Sequence, residues 1–157
     1  MKNALFLLFL MLLSFGFYGC DFSRYKQIEK LEKQTWQQDN LISFDYKFEG
    51  ENPQKHDLYL HLRHDFDYPY RNIWVKIFKE NPDGSLEEKE AQFKLATKEG
   101  YWLGKVLSNI VDHRFWVFED LLLEDNGTYT FKISHHMRTE QLDGVHAVGL
   151  EIIPKQE

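Results

Sequence analysis

Residues 58–75 read LYLHLRHDFDYPYRNIWV. Leu58, Leu60 and Leu62 alternate with Tyr59, His61 and Arg63, the period-two pattern of a strand with one face in a core. Asp67-Tyr68-Pro69-Tyr70 interrupts the pattern, because Pro69 has no N–H to give to a ladder. Ile73, Val75 and Ile77 then resume an apolar face, with Trp74 and Phe78 opposite. The stretch reads as a strand, an aromatic turn and a second strand, and it predicts a β-domain assembled around that pair.

The same alternation recurs on both sides. Ile42, Phe44, Tyr46 and Phe48 alternate with Ser43, Asp45 and Lys47, and Gly50-Glu51-Asn52-Pro53 ends that strand. Asn81-Pro82-Asp83-Gly84 is a turn, since proline presets φ and glycine accepts a positive one. Residues 85–90 are polar and edge-like, and Ala91, Phe93 and Leu95 regain the period. Residues 99–104 form a loop in which two glycines bracket Tyr101 and Trp102, and 106–111 fits strand or loop. Phe115 to Phe118 is a short apolar run, expected to be a strand covered on both faces. Tyr129, Phe131 and Ile133 form another strand, and Val148, Leu150 and Ile152 a last one that Pro154 stops. Seven or eight short strands and no long helical pattern predict an all-β fold, a single antiparallel β-sandwich of Greek-key or jelly-roll kind over residues 39–157.

Asp125, Gly127 and Tyr129 carry the spacing of a tyrosine corner, in which the ring packs inward and the hydroxyl bonds backbone at the sandwich corner. A bare turn before a strand also explains the aspartate and the glycine.

The N-terminus has a different chemistry. Lys2 is followed by unbroken hydrocarbon from Ala4 to Leu13, and Gly19-Cys20 closes the segment. A charged head, a short apolar stretch and a small residue at the cut make residues 1–19 a secretory signal. The apolar stretch is about fifteen residues, short of the roughly twenty that a spanning helix needs. Gly19-Cys20 resembles the end of a bacterial lipobox, although Phe17 and Tyr18 stand where an aliphatic and a small residue are usual. Cys20 is the single cysteine of the chain, so no internal disulfide forms and the thiol is free to carry lipid. Two or three acyl chains hold a protein stably at a bilayer where one does not. Residues 20–38 are expected to be the lipidated cysteine and a polar tether, with Tyr25, Ile28 and Leu31 spaced for a short helix.

Composition bounds what the domain does. The formal charge is −6, and losing Lys2 with the signal makes the exported part more acidic. Such a domain lacks the basic stripe that nucleic acid requires. The seven histidines show no H-E-x-x-H and no cysteine partner, so neither a metal nor another cofactor is expected. No G-x-S-x-G, phosphate loop or placeable carboxylate pair points to an enzyme. Tyr68, Tyr70, Asn72 and Trp102 remain as candidates for a ring-rich binding surface, of the kind that stacks on sugars or anchors protein partners. Trp74 is assigned to packing at the sandwich end, a role open to Trp102 as well.

Several of these stretches occur together in one known family. Cys20, Trp36, residues 58–63, residues 68–74, Pro82-Asp83-Gly84, residues 100–104, Gly127-Thr128-Tyr129, Met137-Arg138 and Val148-Gly149-Leu150 resemble, in order, the GldH gliding-motility lipoproteins of Bacteroidetes. Y-P-Y-x-N-I-W together with G-Y-W-L-G is the specific part. The resemblance implies a cell-envelope lipoprotein needed for gliding, held by acylated Cys20 on the periplasmic side of the inner or the outer membrane. It implies a non-enzymatic structural or assembly component that meets the lipid bilayer and other envelope or motility proteins. A glycan-binding envelope lipoprotein is the alternative.

Overall fold

A computed structural model describes residues 24–155, so the signal and Cys20 lie outside the described residues. Eleven strands and one 3₁₀ turn at Glu32–Gln34 make up the domain. The strands are β1 (Tyr25–Lys30), β2 (Thr35–Gln37), β3 (Ile42–Phe48), β4 (Gln54–Asp65), β5 (Asn72–Glu80) and β6 (Leu86–Lys94). They continue as β7 (Lys105–Leu107), β8 (Ile110–Leu123), β9 (Gly127–His135), β10 (Gln141–Asp143) and β11 (Val145–Pro154). One sheet has the order β1-β11-β4-β8-β7 and the other β3-β9-β5-β6, while β10 and β2 form a small ribbon. Every pairing is antiparallel. The expected β-sandwich is present, with more strands than the alternation alone marked.

The pattern of 58–75 explains the two layers. Leu58, Leu60 and Leu62 are fully buried, as are Ile73 and Val75, with Ile77 at 1% exposure. The two strands nonetheless lie in opposite sheets and do not form a pair. Two apolar faces joined by a six-residue link with Pro69 at its centre meet across the core. A link of that length spans the roughly 10 Å between packed sheets. Phe44, Phe131 and Ile133 from the four-stranded sheet meet Leu150, Ile152 and Val148 from the other. Deleting one of these large side chains, as in Phe44→Ala, costs about 3–5 kcal/mol.

Three local expectations are corrected. The tether is not free from residue 21 to 38: β1 pairs with β11 over six residues, from Tyr25 opposite Ile152 to Lys30 opposite Ala147. Apolar residues three apart suit a helix, but a single turn is costly to nucleate, whereas the edge of β11 supplies a full ladder. Trp36 is completely buried, with its indole N–H donating to the Asn40 carbonyl at 3.0 Å. The sandwich thus begins at residue 25 rather than 39. Second, Phe115 to Phe118 is not covered on both faces, since Trp116 is 51% exposed. Third, Trp74 does not fill the sandwich end; it points outward from β5 and is 37% exposed.

The register also gives the sandwich two distinct ends. Tyr25, Leu58, Phe48 and Gly127 lie at the end where β1 begins, and Tyr25 and Tyr46 meet there across the sheets at 5.5 Å. Lys30, Arg63, Asp112 and the links 66–71 and 95–104 lie at the opposite end.

Candidate functional site

The link 66–71 and the loop 97–104 bring the expected ring residues together, but turn most of them inward. Tyr68 is only 4% exposed, and its hydroxyl donates to the Asn72 carbonyl at 3.1 Å. Burial pushes that hydroxyl's pKa well up. Trp102 is half-buried against His64, with centroids 4.4 Å apart. Asn72 opens β5 and is half-buried, and Tyr70 packs on Tyr68 at 5.9 Å while staying partly exposed. Tyr68 and Trp102 therefore belong to the packing of this end, and Phe66, Tyr70, the open Tyr101 and Leu103 are what it shows to solvent.

Beneath them runs a ladder of rings that sequence reasoning missed. His64 stacks on His113 at 5.1 Å, His113 on Phe115 at 5.1 Å, and Phe115 on Phe93 at 4.5 Å. His64 Nδ1 donates to the Asp65 carbonyl at 2.6 Å, so its Nε2 accepts from His113 Nε2 at 3.1 Å. Burial holds both imidazoles below their usual range, His113 at about 4. They are neutral at pH 7, and a second proton would place two cations in contact. His135 is likewise buried and donates from Nε2 to the Trp36 carbonyl at 3.1 Å, while its neighbour His136 points to solvent. Among the described residues, no three of His, Cys, Asp and Glu are grouped to hold a metal ion.

The corner at residues 125–129 is closed by the tyrosine. Tyr129 is 3% exposed, donates to the Asp125 carbonyl and accepts from the Asp125 N–H, each at 3.1 Å. Asp125 itself is exposed, so its contribution is backbone. Gly127 has φ +143, and a Cβ there would come within 2.8 Å of Pro82.

A second constellation lies on the outer face of the five-stranded sheet. Glu151 of β11 is completely buried although it points away from the core. His61 Nε2 donates to it at 2.7 Å, Arg114 Nε at 2.8 Å, and Arg24 pairs with its other oxygen. Burial, with the Lys26 charge nearby, pushes His61 down to about 4. It is therefore a neutral donor, and the two guanidinium groups balance the carboxylate. The Arg114 guanidinium sits 3.3 Å over the Tyr59 ring, which stacks on the exposed Trp116 at 5.4 Å. The outward slots of β4 and β11 were visible in the alternation, whereas those of β8 were not, because its apolar run reads as covered on both faces. That the three converge was not visible either, because residues 59, 114 and 151 are far apart in the chain.

Comparison with known proteins gives this geometry a setting. The profile of the GldH lipoprotein family matches residues 23–152. The chain is similar to the gliding motility lipoprotein GldH of Flavobacterium johnsoniae, at 26% identity over 161 residues and 98% of each chain. It is also similar to a gliding motility lipoprotein GldH homolog of Christiangramia forsetii, at 24% identity over 144 residues and 87% of each chain. Among solved structures, a CocE/NonD family hydrolase from Staphylococcus aureus superposes with a TM-score of 0.44 at 12% identity, over 83% of this chain and 32% of the other. A likeness at that level carries no functional argument.

Proposed function

The chain belongs to the GldH lipoprotein family, and from that premise we propose that it is a non-enzymatic assembly component of the gliding machinery. In this reading it is held at a membrane, facing the periplasm, through acylated Cys20. The observation that carries the reading is the joint between anchor and domain. β1 is laced into the sheet from Tyr25, and Glu151 clamps Arg24. Only three residues separate Arg24 from Cys20, a reach of at most about 14 Å. A domain on so short a leash stays beside the bilayer with the start of β1 toward it. The links 66–71 and 95–104 then face away, toward other envelope proteins. The glycan reading has less support from the surface assigned to it, since Tyr68 is buried and Trp102 half-buried, while Tyr70 stays exposed.

Membrane flotation of cell fractions tests the anchor. Cys20→Ala should leave the membrane fraction and abolish gliding; continued flotation of the variant with membranes would overturn acylation as the holding force. Mass spectrometry of the processed N-terminal peptide should find the thiol lipidated.

A further inference from the structure

The outer face of the five-stranded sheet is charged against the trend of the chain. Register places three rows across it: Lys26, Glu151, Tyr59 and Trp116; then Ile28, Gly149, His61 and Arg114; then Lys30, Ala147, Arg63, Asp112 and Lys105. With Arg24 reaching in to Glu151, these rows gather six cations against two carboxylates, in a chain whose formal charge is −6. The other sheet shows nothing comparable. On its outer face Lys76 pairs with Glu88 at 3.0 Å and Lys132 with Glu80 at 2.9 Å, while Asp45 accepts from Thr130 at 2.7 Å.

The basic face also has relief. At the end away from the anchor, a cleft of about 430 Å³ is lined by Lys30, Arg63 and His146, the last 3.2 Å from Asp65, and by the apolar Leu107, Ile110 and Ala147. Its volume is within the range that takes a side chain or a small ligand. Beside it, β7 is exposed along its whole length, with Val106 and Leu107 about half exposed. Toward the anchor, Trp116 stands open on Tyr59, with Arg114 stacked beneath. Tryptophan, tyrosine and arginine are the residues that carry most binding energy in protein interfaces.

We propose that this face is the docking surface for an acidic segment of a partner protein. An apolar side chain of the segment enters the cleft, and its carboxylates pair with Lys30 and with Arg63, whose guanidinium already meets Asp112 at 3.2 Å and shares its remaining N–H donors. A further side chain packs on Trp116. Charge complementarity selects an acidic partner and excludes a basic one. The apolar lining and the exposed Val106 and Leu107 favour a polypeptide over an acidic sugar. The direction of the leash favours it over lipid, because the face stands along the strands and not at the end next to the bilayer. The proposal deepens the assembly reading and rests on it.

The test uses the full chain in detergent micelles and a fluorescent dodecapeptide of alternating glutamate and leucine, read by polarisation. The glutamine-for-glutamate peptide should bind at least about tenfold more weakly, and the joint variant Lys30→Ala, Arg63→Ala should lose a similar factor. Trp116→Ala should weaken binding by about tenfold, and Lys76→Ala with Lys132→Ala on the other sheet should change it less than about twofold. Equal binding of the glutamine peptide, or equal losses from the two sheets, overturns the proposal. Displacement of the peptide by oligogalacturonate or by phosphatidylglycerol vesicles at matching concentration also overturns it, in favour of a sugar or a lipid. A photo-crosslinker at position 116 or at position 76 in living cells separates this proposal from its premise. Envelope proteins captured only from 76 keep the assembly reading and remove the face. Peptide binding with no envelope protein captured from either position removes the assembly reading alone.

Discussion

The two outer faces of the sandwich handle charge in opposite ways. On the four-stranded sheet, each cross-strand pair of Lys76 with Glu88 and Lys132 with Glu80 neutralises itself in water. Such pairs contribute little beyond solubility. On the five-stranded sheet, one buried carboxylate, Glu151, gathers Arg24, Arg114 and His61, while Arg63 pairs with Asp112 at 3.2 Å two rows away. The difference teaches that the same residue types serve solvation when paired locally and organisation when they converge on a desolvated centre. It also explains why an acidic chain presents a basic surface.

The largest effect should come from breaking that centre. Glu151→Gln leaves two guanidinium groups without their counter-charge and should cost about 3 kcal/mol in urea unfolding. A loss below about 1 kcal/mol would mean that Glu151 is no clamp.

Acid should separate the two sheets next. Four buried histidines whose pKa burial lowers, His56, His61, His64 and His113, lie in β4 and β8 of the five-stranded sheet, against one, His135 of β9, in the four-stranded sheet. A group whose folded pKa is depressed stabilises the fold above its unfolded value, about 6.5 for histidine, and that stability is lost as pH falls. For His61 and His113 the loss extends down to about 4. Together these two should cost about 2 kcal/mol between pH 7 and pH 5, allowing for partial solvent screening. Hydrogen exchange should show amides of β4, β8 and β11 losing protection before those of β3 and β9. Simultaneous loss would erase the distinction between the sheets.

On the four-stranded side, Tyr129→Phe removes a buried hydroxyl bonded at both the N–H and the carbonyl of Asp125. Chemical denaturation should register a loss of about 1 kcal/mol, and a neutral result would strip the corner of its energetic role. The smallest change belongs to the paired face itself. Glu88→Gln should shift stability by less than about 0.5 kcal/mol, so a larger shift would show that this face is also organised by its charges.

Much of the fold was legible because alternation is local. Leu58, Leu60, Leu62, Ile73, Val75 and Ile77 point inward as their spacing requires, and Pro82-Asp83-Gly84 turns with Gly84 at φ +83. The candidate site was far less legible. Exposure of Tyr68 depended on where the link 66–71 crossed between sheets, and the capture of residues 25–30 depended on an open edge of β11. Neither is encoded within a window of neighbouring residues.

By itself the sequence determined which side chains of β3, β4, β5, β9 and β11 face the core, the lipoprotein-type N-terminus and the family. A pleat alternates faces whatever it pairs with, and a signal is read as linear chain. Tertiary structure alone decided that the two strands of 58–75 would part into separate sheets. It alone brought a glutamate near the C-terminus between arginines 24 and 114. Pairing and desolvation are properties of residues distant in the chain, and they exist only once the sheets have closed on each other.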